Sequence, residues 1–149
     1  MTRPALLTLA TTVTMLVAVA PPAQAATPIV EIVKVYYDSP GKDTRSNASL
    51  NAEYVVLKNN SNVTVQMMDW IVRDETGYKY RFPFFSLKSG KTVTIRSGKG
   101  ADTTTTKYWG RASYVWNNTG DTASLYWSSG PKRVDVCRWK RGSGSTNCA

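Results

Sequence analysis

The chain has no histidine. General acid–base work is thereby confined to carboxylates and amines, and a thiol has no imidazole beside it to draw off its proton. Cysteine is nearly as scarce: Cys137 and Cys148 are the whole supply. Acidic residues number 10 against 19 lysines and arginines, a net charge of +9. That imbalance favours solubility and attraction to polyanions; a generally solvated cationic surface is the other reading. Helical periodicity is missing beyond the N-terminal run, as are internal repeats, low-complexity tracts and the length for a second domain. What remains is a series of short alternating segments.

One positive residue, Arg3, precedes an apolar run from Ala5 to Ala20, followed by Pro21-Pro22 and the small-residue pattern Ala23-Gln24-Ala25. This is the layout of a secretory signal peptide over residues 1–25, cleaved after Ala25. A membrane anchor is the rival reading, but the run is shorter than the ~20 residues needed to span, and Thr8, Thr11, Thr12 and Thr14 dilute it. No cysteine lies near the cleavage site to carry a lipid, and Arg3 has no arginine neighbour to make a twin-arginine signal. The protein is therefore expected to be secreted, extracellular and monomeric, with no transmembrane segment after cleavage. In an oxidising compartment Cys137 and Cys148 default to a disulfide. It closes a loop of roughly 11 residues, worth about 2.5–3 kcal/mol of chain entropy. Cys137 is expected on the outer part of the last strand, with residues 142–149, a loose Gly/Ser tail, tied back to it.

Two alternating stretches organise the rest. In Asn51 to Asn60, Val55 and Leu57 share one face and Tyr54, Val56 and Lys58 the other. In Met68 to Asp74, Met68, Trp70 and Val72 share a face, with Asp69, Ile71 and Arg73 opposite. The turn-forming Asn-Asn-Ser-Asn between them suggests two adjacent strands around a core tryptophan. Ile29–Tyr37 reads as an earlier strand, and Thr44–Leu50 as a polar loop. Tyr78, Tyr80 and Phe82 alternate with Lys79 and Arg81, an aromatic face backed by a cationic one. Val93 and Ile95 point inward, Ser97–Lys107 reads as a Gly- and Thr-rich loop, Ala123, Leu125 and Trp127 alternate inward with Tyr126 outward, and Val134–Trp139 closes the series. Seven to nine short strands separated by turns predict an all-β fold, a single immunoglobulin-like β-sandwich over residues 26–141.

Several of these segments, in this order, resemble one known family. Asn51 to Asn59, the Asp69-Trp70 strand, Tyr80-Arg81-Phe82-Pro83, Leu87 to Ile95 and Trp116 to Leu125 together look like a lamin-tail domain, the immunoglobulin-like module found at the end of nuclear lamins and in secreted bacterial proteins. The resemblance covers about Ile29 to Trp139 and, with the signal peptide, points to the secreted bacterial branch. It implies a non-catalytic interaction module and transfers neither catalytic residues nor a ligand.

For catalysis the titratable supply is Glu53, Asp69, Asp74, Glu75, Asp121 and the lysines; Asp74 and Glu75 read as solvated turn residues, and no enzyme is expected. Asp38, Asp43, Asn47, Asn51 and Glu53 bring oxygen ligands into one stretch, a candidate calcium site, although Asp and Asn serve turns equally well. No other cofactor is expected. Lys132, Arg133, Arg138, Lys140 and Arg141 stand against the single Asp135, with Trp139 among them. This is a candidate polyanion site for DNA or cell-wall polymer, with guanidinium and aromatic stacking available. A cationic edge strand that repels other edges fits the same pattern. Exposed aromatics, drawn from Tyr36, Tyr37, Tyr78, Tyr108, Trp109, Tyr126 and Trp127, leave a carbohydrate-binding surface module open, and a protein partner is open as well.

Overall fold

The computed structural model describes residues 26–128 and 130–149; the expected signal peptide at 1–25 lies outside them. The first strand, β1 (Val30–Tyr36), buries Val30 and Ile32 and then Val35, with Tyr37 just beyond it. The two-residue period skips because a bulge between Ile32 and Lys34 adds one residue against the next strand. The stretch read as a polar loop holds instead one turn of helix, α1 (Asn47–Ala52), capped by the Ser46 hydroxyl accepting from the Ser49 amide at 3.2 Å. Leu50 pins that turn to the core.

From there β2 (Tyr54–Asn59) alternates as predicted, with Val55, Leu57 and Asn59 buried. After β3 (Val65–Gln66) the expectation for Met68 fails: Met67 is buried and Met68 is 47% exposed. Asp69 adopts a left-handed φ of 64° and resets the alternation before β4 (Ile71–Arg73). Trp70 and Val72 are buried as expected. Next come β5 (Lys79–Arg81), β6 (Ser86–Leu87), β7 (Thr92–Arg96), β8 (Thr106–Tyr108), β9 (Gly120–Tyr126), β10 (Arg133–Lys140) and β11 (Ser145–Asn147).

Two sheets face each other. One has the order β11-β1-β2-β7-β8, the other β10-β9-β4-β5, and β3 pairs with β6 beside them. Every pairing is antiparallel except β7 with β8. The stretches expected to be adjacent strands are not neighbours: β2 lies in the first sheet and β4 in the second. They share the core rather than a ladder, Val55 and Leu57 from one side and Trp70 and Val72 from the other. This is the expected immunoglobulin-like sandwich.

The C-terminal residues are more than a tether. β11 pairs with β1, while Cys137 sits on β10 with its side chain in the core, not on the outer part of a last strand. Its disulfide to Cys148, with Cα atoms 5.4 Å apart, therefore joins the edge of one sheet to the edge of the other. Asp135 adds a second cross-sheet link, accepting from the Ile32 amide at 2.7 Å. Trp127 departs from expectation in the opposite sense. The strand ends at Tyr126, and Trp127 stays 42% exposed, leaning on Trp70 at a ring-centroid distance of 5.0 Å.

Candidate polyanion-binding face

The carboxylates go first to backbone amides. Glu53 is fully buried at the mouth of β2 and takes the Val115 and Trp116 amides at 2.9 and 2.8 Å. Removal from water pushes its carboxyl up to about 7, against hydrogen bonds that pull it down. Asp74, expected to be solvated in its turn, is buried: it accepts from Gly77 and Tyr78 amides at 2.7 and 2.6 Å and from the Thr76 hydroxyl. Asp121 is buried too, accepting from the amides of Glu75, Asn117 and Thr122. Each is a turn or loop anchor whose oxygens are already occupied, which is a poor arrangement for proton transfer to a substrate.

Cations meet a different fate. On the four-stranded sheet, inward positions carry Val72, Tyr80, Leu125 and Cys137, so their sequence neighbours face out. The register aligns Val136, Ser124, Arg73 and Lys79 in one row across β10, β9, β4 and β5. The next row aligns Arg133, Tyr126, Ile71 and Arg81. Arg138 and Lys140 continue the face along β10, opposite Thr122 and Gly120. With strands about 4.8 Å apart, the four-strand width is roughly 14 Å between outer backbones. Among the described residues this face holds one ion pair, Arg81 with Asp69 at 3.5 Å, half-exposed on both sides.

Of the expected cluster, Arg133, Arg138 and Lys140 lie on this face, and Lys132 and Arg141 are exposed at the two ends of β10. Trp139 does not join them. It points inward, stacks on Tyr37 at 5.2 Å, meets Trp116 edge-on at 5.8 Å and donates its indole N–H to the Asn117 carbonyl. A ring so placed has no face for a ligand, because beyond the bulge between Arg133 and Asp135 the alternation along β10 puts Asp135, Cys137 and Trp139 on the inner side. Arg73, Lys79 and Arg81 are the members that inspection of one strand misses. The alternation of Lys79 and Arg81 against Tyr80 is the signal for them, but only the strand order brings them beside β10.

Of the five oxygen donors of the calcium reading, Asn47 and Asn51 come together over Gly98, and most of the set is engaged with the protein itself. Glu53 accepts from its two backbone amides; Asn47 and Asn51 hold the Lys99 backbone, and Asp38 accepts from the Asn118 side-chain Nδ2 at 2.8 Å. Asp43 is exposed. Among the described residues no three acidic or cysteine side chains converge. The aromatic surface is also largely spent on itself. Tyr36 stacks on Tyr54 at 5.3 Å, Arg111 covers Tyr78 at 4.0 Å, and Trp109 packs against Trp116 and Tyr80.

No helix among the described residues is long and apolar enough to cross a membrane. No curated protein matches the chain. The sequence pattern of the Lamin Tail Domain does match it, over residues 23–141, stopping just short of β11 and Cys148. A match over so much of the chain, on a sandwich of this architecture, makes the protein a member of the lamin tail domain family.

Proposed function

We propose that this protein is a secreted, non-enzymatic interaction module that lays the cationic face of its four-stranded sheet on an anionic polymer outside the cell, DNA or cell-wall polymer. The observation that carries the reading is Arg73. Lysines and arginines on β5 and β10 are accounted for by protection of two edge strands against pairing. Arg73 sits on β4, inside the sheet, where there is no edge to protect. It lies between the cations of the two edges, while Glu53, Asp74 and Asp121 are turned inward to amides. The Cys137–Cys148 bridge supports an oxidising destination.

Binding of duplex DNA at varied salt tests the idea. Three to five phosphate contacts give a slope of log K against log salt of roughly −3 to −5. Sequence preference should be slight, since phosphate contacts position a protein without reading bases. Replacing Arg73, Arg138 and Lys140 together with serine should flatten the slope by up to about 3. Edge protection has another outcome, namely no saturable binding and light scattering from the triple variant. An affinity indifferent to salt would defeat the electrostatic reading.

A further inference from the structure

A groove of about 740 Å³ lies away from this sheet, between β6 with its following turn and the threonine loop before β8. Its size falls within the roughly 300–1,000 Å³ usual for small-molecule sites. The floor is Phe85 and Leu87, both buried. Phe84 stands at the rim and is 77% exposed, the most exposed large apolar residue among those described. Lys88 and Lys91 line the groove from a turn that is firmly held. The Gly90 amide donates to the Asn59 carbonyl at 3.0 Å, Lys91 to the Lys88 carbonyl at 3.1 Å, and the Ser89 hydroxyl to the Ser61 carbonyl at 2.8 Å. Gly90 takes a φ of 67°, which suits glycine and lets the turn close. Across the groove, Thr104 and Thr105 supply hydroxyls.

The charge is unbalanced. Asp102, the acid in the lining, is neutralised by Lys107 at 3.5 Å, and Lys107 also rides over the Phe85 ring at 4.7 Å. Lys88 and Lys91 have no ion-pair partner among the described residues. An extended peptide would seek the free edge of β8, but that edge is already closed. Thr106 donates its amide to the Thr103 hydroxyl at 3.0 Å, and Tyr108 donates to Asp102 at 3.0 Å. Recognition must then come from side chains: an apolar ring, hydroxyls and two ammonium groups. A pyranose presents an apolar C–H face to an aromatic ring and hydroxyls at its rim, and a carboxylate on the sugar meets the lysines.

We propose that this groove binds a carboxylate-bearing sugar, one or two uronic-acid-type residues of an acidic polysaccharide, with Phe84 under the ring and Lys88 and Lys91 on the carboxylate. Titration of the purified protein with oligogalacturonate, neutral malto-oligosaccharide and polyglutamate of matched length tests it. Oligogalacturonate should saturate one site, with the neutral sugar and polyglutamate each weaker by about tenfold or more. Phe84→Ala and the pair Lys88→Ala/Lys91→Ala should each weaken uronate binding by about tenfold, because all three are exposed and their loss leaves the core intact. The Arg73, Arg138 and Lys140 replacements should leave it unchanged, so this site and the DNA-binding face fail independently. Polyglutamate binding as tightly as the uronate and surviving Phe84→Ala would make the groove an acidic-peptide site and overturn the proposal. Absence of saturable uronate binding at millimolar concentration would overturn it too.

Discussion

Titrating Glu53 perturbs the core at a single point. The unfolded chain gives up this proton near 4.5, whereas the folded protein keeps it until about 7 because burial penalises the charge. Between those limits the folded state binds more protons than the unfolded state, so stability must fall as pH rises, then level off above the folded value. The slope is at most about 1.4 kcal/mol per pH unit, and the whole loss at most about 3.4 kcal/mol, or roughly 10 °C in Tm for a domain of this size. The window is unusually clean, since the chain has no histidine to titrate within it. Melts followed by tryptophan fluorescence at pH 4.5, 5.5, 6.5 and 7.5 (values spanning the roughly 4–8 range that histidine would otherwise obscure) measure it directly. Glu53→Gln separates the carboxyl from every other source of pH dependence. The amide keeps one acceptor for Val115 or Trp116 and sets its own N–H₂ against the other amide, so the variant should start about 1–3 kcal/mol lower at acid pH. Its stability should then stay flat while the parent declines toward it. A parent whose stability is constant or rising across the window, or a slope that survives in Glu53→Gln, would show that burial does not dominate at this carboxyl.

Three further outcomes follow from contacts in the fold. Reducing the Cys137–Cys148 bridge, whose ends are 11 residues apart, should lower stability by about 2.8 kcal/mol on chain entropy alone. Because it joins two sheets, amide exchange should rise along β1 and β10 as well as in β11; faster exchange confined to 142–149 would return the bridge to a mere tether. Asn59→Ala should cost about 2–4 kcal/mol in denaturant titration, since the buried amide supports the Val63 and Leu87 carbonyls and accepts from Ser61; a loss under about 0.5 kcal/mol would mean water replaces it. Asp102→Ala should uncover the Tyr108 amide on the β8 edge and strand Lys107, raising concentration-dependent association by light scattering; a variant that stays monodisperse and as stable as the parent contradicts that account of the edge.

Much of the sandwich was readable from alternation alone. Val55 and Leu57, Val93 and Ile95, Tyr80 and Phe82, and Trp70 all face inward as the two-residue period requires. Alternation failed where the backbone departs from a strand: at Asp69, whose left-handed φ exchanges the roles of Met67 and Met68, and at Trp127, one residue beyond the end of β9. It was also silent on partners. Nothing local tells β2 that it will pair with β1 and β7 rather than with β4, because register across sheets is set by contacts far apart in sequence. The cationic face suffered from the same blindness. Arg138 and Lys140 stand out as a run, while Arg73, Lys79 and Arg81 belong to it only once β4 and β5 are laid beside β9.

The acid side of the ledger explains why such a face exists. Ten carboxylates against 19 cations is a modest imbalance on paper. Yet Glu53, Asp74, Asp102, Asp121 and Asp135 all accept from main-chain amides, closing loops and the gap between sheets. A loop-rich sandwich has many amides outside its ladders, and a carboxylate offers them two acceptor oxygens with no donor of its own to satisfy. Glu53, Asp74 and Asp121 are buried in this use, while Asp135 is half-buried and Asp102 stays exposed, so the outer surface carries fewer negative groups than the composition suggests. The same substitution that weakens a loop, Asp121→Asn for instance, removes a buried negative charge and leaves the outer cations as they were. Its effect should therefore be read in stability and not in binding, whereas Arg73→Ser should change binding and spare stability. If Asp121→Asn altered DNA affinity at unchanged stability, the separation between buried acids and surface cations would be wrong, and the two sets would have to be treated as one electrostatic system.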